Sequence, residues 1–160
     1  MSVETQRTRT WNNIESLDRN FRPLAYAVVG FAHVKGLELL VTDGRRTFLS
    51  QGELYAQGRT TPGDIVTHAE PGESYHNYGL AIDFVCIDSH GTPLWSETPW
   101  EEIGEFGEGL GLEWGGRWPR PKRDRPHLGL VRTHHTVLKS IADTTGFLPR
   151  HWSPAALEIT

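Results

Sequence analysis

Apolar residues recur at helical spacing in the first part of the chain. Over residues 11–36 they fall near the i, i+3, i+4, i+7 positions, which predicts a short helix near residues 12–19 and a longer one near residues 22–35. Pro23 suits the first turn of the second helix. We expect this amphipathic pair to pack on the core. Residues 1–10 are expected to form a flexible N-terminal tail.

Short apolar runs separated by turn residues predict the remaining elements. The predicted strands are residues 37–42, 79–87 and 127–131, and the predicted helices are residues 48–57, 101–110 and 133–145. Residues 58–73 are rich in Gly, Pro and Thr, which indicates a long surface loop. Helices come first and strands lie in the middle. The regular alternation of strands and helices that is typical of a parallel sheet is absent. The chain is therefore predicted to be α+β, a single small domain with N-terminal helices packed on a mainly antiparallel sheet.

Length and composition narrow the class of protein. A chain of 160 residues with 37% hydrophobic and 22% charged residues is typical of one soluble domain with a sizeable core. We expect that domain to span residues 11–150, followed by a C-terminal tail over residues 151–160. The net charge of −4 carries no broad basic footprint for nucleic acid. No apolar run reaches the roughly 18 residues of a membrane span, so membrane insertion is not expected.

The N-terminus and the cysteine content indicate in which cellular compartment the protein is made. The first residues are polar and lack the apolar core of a signal peptide. The single cysteine, Cys86, cannot form an intrachain disulfide, which fits synthesis in a reducing compartment. Cys86 lies in an apolar run and is expected to be buried and inert.

A carboxylate lies inside the second predicted strand. Asp83 stands between the apolar residues 80–82 and 84–85, and burying it is costly unless a charge or a metal compensates it. His76 stands seven residues earlier, where the chain enters this strand. Because zinc takes nitrogen and oxygen donors, we predict that His76 and Asp83 are two zinc ligands.

A third ligand is expected from a later strand or loop. His127 follows Pro126 and begins the third predicted strand, which makes it the best candidate. His134 and His135 are the main alternative. These two are adjacent on a predicted helix, so their side chains diverge by about 100° and cannot share one metal.

Hydrolysis of an amide by zinc-activated water also needs a base. Asp124 lies three residues before His127, and the turn at Pro126 can bring its carboxylate near the metal without ligating it. Asp124 could equally balance the neighbouring cations on a solvated loop. Glu113 is the alternative base, and it could equally be a structural carboxylate in a turn.

A cation is expected to stabilise the oxyanion that forms during amide hydrolysis. Arg45 and Arg46 lie at the end of the first predicted strand, from which a guanidinium could reach into a cleft. The alternative is that both are surface cations at the start of a helix, where the helix dipole slightly disfavours them.

The candidate residues lie in two separated motifs. Residues 74–83 match the pattern S-x-H-x-x-G-x-A-x-D, and residues 124–127 match D/E-x-x-H. In both, the chain resembles the zinc D-Ala-D-Ala peptidases. Residues 41–85 and the LEWGG segment at residues 112–116 are similar to the L-alanyl-D-glutamate endopeptidase branch of that family, which contains many phage endolysins.

The resemblance implies a fold and a set of catalytic roles. The implied fold is the small α+β fold shared with the hedgehog signalling domain. One catalytic zinc ion would be held by His76, Asp83 and His127, with water as the fourth ligand. Asp124 would be the general base, and Arg46 corresponds to the arginine of the family.

The resemblance also suggests substrate contacts. Ser74 is expected near the ligands or the substrate carboxylate. Arg45 takes a position that often holds an aromatic residue in the family. Tyr78 and Trp114 complete the set of candidate contacts.

The function that the resemblance implies is hydrolysis of the L-Ala–D-Glu bond in peptidoglycan stem peptides. The protein would be a monomeric endolysin made in the host cytoplasm without a signal peptide, reaching the wall through a separate pore protein and causing host lysis. The alternatives are a D-Ala-D-Ala carboxypeptidase or dipeptidase, and a zinc-containing module that binds muropeptides without cutting them.

Overall fold

The computed structural model describes residues 1–130, and these form four helices and a four-stranded sheet. The helices are α1 (Val3–Glu15), α2 (Arg22–Val34), α3 (Phe48–Ala56) and α4 (Trp100–Gly109). The strands are β1 (Glu38–Asp43), β2 (Ala81–Ile87), β3 (Glu113–Trp114) and β4 (His127–Gly129). Two short 3₁₀ turns lie at Tyr75–Tyr78 and Gly115–Arg117. The predicted α+β class is confirmed.

The sheet has the order β1-β2-β4-β3, and every neighbouring pair is antiparallel. The central strand β2 is buried along nearly its whole length, as its apolar sequence predicts. Its register with β4 places Asp83 opposite His127, and its register with β1 places Asp43 opposite Asp83. Side chains far apart in sequence therefore meet at one end of β2.

The core lies between this sheet and the helices. Helices α1 and α2 pack on β1, and α4 packs on α2 and β3. At the α2–α4 contact the rings of Phe31 and Phe106 stack with their centroids 4.1 Å apart. Fully buried side chains from all these layers include Ile14, Phe21, Val28, Leu40, Ile82, Phe84, Ile103 and Leu128.

Helix α1 occupies most of the segment predicted to be a tail, so the prediction of flexible residues 1–10 is wrong. The side chain of Ser2 caps the helix, and the helix ends where the predicted helix near residues 12–19 should continue. The buried side chains of the helix include Gln6 and Thr10, which are polar. An apolar periodicity therefore could not reveal this part of the helix.

Hydrogen bonds hold α1 on the outer edge of β1. The hydroxyl of Thr10 accepts a bond from the backbone N–H of Val41 (3.1 Å), and Asn13 Nδ2 donates to the Val41 carbonyl (2.8 Å). Arg7 forms an ion pair with Glu38 at 2.8 Å. The helix thus covers a strand edge whose backbone groups would otherwise need other partners.

The other predicted elements agree with the structure to within about two residues. The predicted helix over residues 133–145, the end of the domain at residue 150, the tail over residues 151–160 and the histidine pair His134-His135 lie outside the described residues. Among residues 1–130, no helix is both long and apolar enough to span a bilayer.

Candidate metal centre and active site

Three side chains predicted as ligands converge at one end of β2. His76 lies on the first 3₁₀ turn, Asp83 on β2, and His127 at the start of β4. His76 Nε2 is 3.3 Å from both Asp83 Oδ1 and His127 Nδ1, and the Asp83 and His127 atoms are 3.2 Å apart. These three atoms form a nearly equilateral triangle.

The turn that carries His76 depends on its flanking residues. Ser74 caps the turn by accepting a hydrogen bond from the backbone N–H of His76 (3.3 Å). Gly79 ends it at φ +70°. A Cβ at Gly79 would lie 2.7 Å from the backbone nitrogen of Asp18, so glycine is required both by conformation and by space.

A backbone contact orients His76. Its Nδ1 lies 2.7 Å from the carbonyl oxygen of Gly44 and donates to it, which leaves Nε2 as the nitrogen that faces Asp83 and His127. A fixed tautomer of this kind is typical of metal-ligating histidines.

Burial and charge act against each other in this cluster. Burial disfavours the charged form of Asp83, but His76 and His127 outweigh this and hold the pKa of Asp83 well below its usual range. Burial likewise opposes protonation of His76, yet the neighbouring Asp83 raises the pKa of His76. The carboxylate that looked costly in an apolar strand is therefore compensated by two imidazoles.

The donor set fits a tetrahedral metal. Ligand atoms about 2.0–2.1 Å from a zinc ion lie about 3.4 Å from one another in tetrahedral geometry. The three observed separations of 3.2–3.3 Å match that edge length. Two neutral imidazoles and one carboxylate are also a donor combination that zinc accepts.

Asp124 lies beside the triangle and lines the same cleft as its three residues. Its backbone N–H donates to the carbonyl of Gly115 (3.0 Å), and its own carbonyl accepts from the backbone N–H of His127 (3.3 Å). A Cβ at Gly115 would come within 2.3 Å of the backbone carbonyl oxygen of Asp124, so a glycine is needed for this close approach. Burial raises the pKa of Asp124, and the nearby charge of Asp83 raises it further.

Arg46 points into the site and is held there by two side chains. It bonds Asp43 through Nε (3.0 Å) and forms an ion pair with the same carboxylate through Nη2. Its Nη1 donates to Gln51 Oε1 at 2.8 Å, and its Nη2 lies 3.8 Å from Asp83 Oδ2. The guanidinium is therefore fixed next to the triangle.

Backbone bonds explain how Arg46 comes to lie beside His76. The N–H of Arg46 donates to the His76 carbonyl (2.8 Å). Asn77 Nδ2 donates to the carbonyls of Arg46 (3.1 Å) and Thr47 (3.3 Å). The segment after β1 is thus joined to the turn that precedes β2, although about 30 residues separate the two along the chain.

The site opens into a cleft of about 770 Å³. The candidate site residues on its surface are Arg46, Ser74, His76, Asp83, Asp124 and His127. His68, Glu73, Lys122 and Arg123 also line it. Residues 65–69 of the long loop form part of its wall, and the half-exposed Ile65 and Val66 lie there. Trp118 adds an aromatic surface, since its ring centroid is 5.0 Å from that of His127.

Of the four candidate substrate contacts, only Ser74 lines this cleft within residues 1–130. Tyr78 is buried and donates from its hydroxyl to the Gly72 carbonyl (2.9 Å). Trp114 is 2% exposed and donates to the Arg125 carbonyl (2.8 Å). The expectation for Tyr78 and Trp114 is therefore corrected, since core packing places both away from the cleft surface. Arg45 is exposed and lies outside the cleft lining.

The alternative base Glu113 is engaged elsewhere. Its carboxylate accepts a hydrogen bond from the indole N–H of Trp118. Glu113 thereby positions Trp118 rather than lining the cleft, which agrees with the structural role that the sequence left open.

The sequence pattern does not reveal the roles of Asp43 and Gln51. Asp43 ends an apolar strand three residues before Arg46, and because that separation brings side chains together only on a helix, the sequence did not indicate their pairing. Gln51 is fully buried on a helix, where a polar side chain needs partners. The sequence does not show this burial, because it arises where residues 67–69 of the long loop cover α3.

Comparison with known proteins agrees with this geometry. The family described as D-alanyl-D-alanine carboxypeptidase matches residues 67–130, which contain the triangle and Asp124. The peptidoglycan L-alanyl-D-glutamate endopeptidase CwlK of Bacillus subtilis (strain 168) is 46% identical over 116 residues, which cover 67% of this chain and 69% of CwlK.

Solved structures share the fold. The L-Ala D-Glu endopeptidase ChiX of Serratia marcescens has a TM-score of 0.58 and 20% identity, over 79% of this chain and 90% of ChiX. The vancomycin resistance D,D-pentapeptidase VanY, solved in complex with Zn(II), has a TM-score of 0.53 and 18% identity, over 78% of each chain.

The identity with CwlK covers two thirds of both proteins, and the family match includes the candidate site. These findings confirm the resemblance that the two sequence motifs carried. The chain belongs to the D-Ala-D-Ala-type metallopeptidase family, in its L-alanyl-D-glutamate endopeptidase branch.

Proposed function

We propose that this metallopeptidase uses one zinc ion to hydrolyse the L-Ala–D-Glu bond of peptidoglycan stem peptides. The observation that carries the proposal is the triangle of His76, Asp83 and His127, with donor atoms 3.2–3.3 Å apart, next to Asp124 and Arg46. The bond specificity is supported by the identity with CwlK, whose name states that activity.

His76 Nε2, Asp83 Oδ1 and His127 Nδ1 would hold the zinc ion. When bound, zinc supplies a Lewis acid that polarises the scissile carbonyl and makes a water molecule acidic at neutral pH. The protein keeps the ligands in place through the bond from His76 to Gly44 and the register of β2 with β4.

Asp124 would take the proton from the attacking water and pass it to the departing amine. Its position beside the ligands gives it access to a water in the cleft. Burial raises the pKa of Asp124, which makes its carboxylate a better proton acceptor than an exposed aspartate.

Arg46 would stabilise the negative charge that develops on the carbonyl oxygen. Its guanidinium is anchored by Asp43 and Gln51, so little reorganisation is needed when charge develops. The same guanidinium could pair with a substrate carboxylate. Ser74 lies on the cleft surface and would contact the substrate near the ligands.

The experiment that tests this function is mass spectrometry of muropeptides after digestion of purified peptidoglycan. The zinc-loaded protein is expected to release peptides with N-terminal D-Glu and to leave L-Ala on the glycan. Asp124→Asn should reduce the rate by about 10²–10⁴-fold while zinc stays bound. His127→Ala should abolish cleavage, whereas His90→Ala, a matched change in an exposed turn, should not affect it.

Other outcomes point to the alternatives. Loss of only the terminal D-Ala would assign the protein as a carboxypeptidase, the activity in the description of the matching family. Binding of muropeptides without any new termini would assign a binding module. Full activity after complete removal of zinc would contradict the proposal.

We extend the proposal to the biological role: a monomeric endolysin that is made in the host cytoplasm and acts on the cell wall during host lysis. This is supported by the branch to which the chain belongs, in which endolysins are common. Co-expression with a membrane-pore protein is expected to lyse a bacterial culture, whereas expression with the pore protein and the His127→Ala variant should not.

A further inference from the structure

Basic residues are concentrated in the segment beside Asp124. The protein as a whole has a net charge of −4. Residues 117–125 nevertheless contain a single carboxylate, Asp124, and five cations, which are Arg117, Arg120, Lys122, Arg123 and Arg125. A local excess of this size on an acidic protein indicates an anionic ligand or a set of nearby acidic partners.

Carboxylates form ion pairs with two of these cations, and the ion pair of the second cation is weak. Arg117 lies 3.1 Å from both Glu105 and Glu108 on α4. Arg125 lies 3.8 Å from Glu101, and both side chains are more than half exposed, so this ion pair is weak.

The remaining three cations have no such partner in the described part of the chain. Within residues 1–130, no carboxylate lies within ion-pair distance of Arg120, Lys122 or Arg123. The one hydrogen bond that Arg123 makes there is a long one, 3.5 Å, from Nε to the Trp118 carbonyl.

Two of these cations line a depression of about 500 Å³, here called the basic pocket. Its lining includes Trp95, Arg120, Arg123 and Arg125. Trp95 is 53% exposed, and its ring stacks on that of Trp100 with centroids 6.3 Å apart. Trp100 also donates its indole N–H to the Trp95 carbonyl (3.3 Å). The exposed indole is therefore held in place.

The basic pocket adjoins the catalytic cleft. Pro121, Arg123 and Asp124 line both cavities, so these residues form the boundary between them. A substrate that is positioned for attack beside Asp124 and extends past this boundary would enter the pocket.

We propose that the basic pocket is an extension of the substrate cleft that binds carboxylates of the stem peptide beyond the cleaved bond. This inference rests on the proposed function. On the glycan side of an L-Ala–D-Glu bond the groups are uncharged amides and sugars, whereas the peptide continuing from D-Glu carries free carboxylates. Guanidinium groups pair with carboxylates in a bidentate geometry. Trp95 offers an apolar face to the alkyl segments between these carboxylates.

The test uses the zinc-loaded protein and two synthetic stem peptides that contain the L-Ala–D-Glu bond. One peptide has free carboxylates beyond that bond, and the other carries amides at the same positions. For the double variant Arg120→Gln, Arg123→Gln, the KM for the free-acid peptide is expected to rise about three- to tenfold with kcat unchanged, the effect of losing two exposed ion pairs. The KM for the amidated peptide should change less than about twofold.

A control variant and salt separate this effect from general changes in charge. Lys35→Gln removes one cation from an ion pair with Glu102 that lies outside both cavities, and it should leave both KM values unchanged. Raising the salt concentration should increase the wild-type KM for the free-acid peptide towards that of the double variant, because exposed charges are screened.

Two results would overturn the inference. The double variant could retain the wild-type KM for the free-acid peptide, or its KM could rise by the same factor for both peptides. If the wild-type protein cleaves neither peptide, the proposed function itself fails. Cleavage of both peptides with an unchanged double variant contradicts the pocket alone.

Discussion

Gln51 connects two parts of the candidate site through a single buried side chain. Its Oε1 accepts a hydrogen bond from Arg46 (2.8 Å), and its Nε2 donates to the Ala69 carbonyl in the cleft wall (2.8 Å). It is fully buried, so neither partner can be replaced by bulk water. Gln51 therefore fixes the guanidinium relative to the loop that borders the cleft.

We predict that Gln51→Leu lowers kcat by roughly 10–100-fold, because small displacements of a positioned group are costly in catalysis. Zinc content should stay at the wild-type level. Steady-state kinetics and metal analysis on the same preparation check this.

Gln6→Leu is the matched control for this variant. Gln6 is also buried on a helix and donates to one carbonyl, that of Gly91 (3.0 Å), far from the site in the fold. Both variants should lower the thermal midpoint, since each removes a hydrogen bond that a buried side chain donates to a backbone carbonyl. Only Gln51→Leu should lower kcat, and an equal loss of activity in the two variants would reduce Gln51 to a structural role.

The residues of the site differ in how far sequence could predict their roles. His76, Asp83 and His127 stand out because an aspartate in an apolar strand needs compensation and histidines at two strand entries can provide it. The predicted substrate contacts of Tyr78 and Trp114 were wrong, because nothing in the neighbouring sequence tells whether an aromatic ring faces the cleft or the core. That difference is decided by tertiary packing.

At the scale of elements, the edge of the sheet is held by polar contacts that leave little trace in the hydrophobic pattern. The inner face of α1 docks on β1 partly through Thr10, Asn13 and Arg7. The apolar stripe of α2, in contrast, was readable directly from sequence. β3 was not predicted because it has only two residues, and its pairing with β4 depends on a contact between distant segments.

The Arg7–Glu38 contact between α1 and β1 gives a prediction with a defined pH dependence. The hydrogen bond from Arg7 lowers the pKa of Glu38, against the opposing effect of partial burial. A carboxylate whose folded pKa lies below its unfolded value of about 4.3 stabilises the fold above that value. This stabilisation is lost as the pH falls through the folded pKa.

Wild type should therefore melt at a higher temperature than Glu38→Gln at pH 7, and the difference should disappear as the pH falls below about 4. Thermal melts over this pH range provide the measurement. Glu97→Gln, at an exposed carboxylate in the loop before α4, is the control and should show a smaller difference at neutral pH. An undiminished difference at pH 3 would exclude the ion pair as its cause.

At the scale of the whole molecule, the triangle joins two segments that lie far apart in sequence and meet through a short strand pairing. His76 and His127 are 51 residues apart, and β4 has only three residues in the ladder with β2. The pairs β1·β2 and α1·β1 form a larger packed unit at the other side of the sheet. A metal bound by both histidines would close the long loop between them and hold β4 against β2.

We therefore predict that zinc removal destabilises the protein unevenly. A ligand present at about a thousand times its Kd stabilises the folded state by about 4 kcal/mol, which for a chain of this size corresponds to a melting shift of roughly 10 °C. Chelation should lower the midpoint by this order, and stoichiometric zinc should restore it.

Amide hydrogen exchange measures whether zinc removal destabilises some segments more than others. Without zinc, exchange should accelerate most in the segment from β3 to β4, because three ladder residues cannot hold that segment as firmly as the long β1–β2 pairing holds its neighbours. The His127→Ala variant is the control, since it should exchange like the chelated wild type and respond little to zinc. Uniform acceleration across both β1 and β4 would mean that the metal stabilises the domain as one cooperative unit instead of clamping its weaker edge.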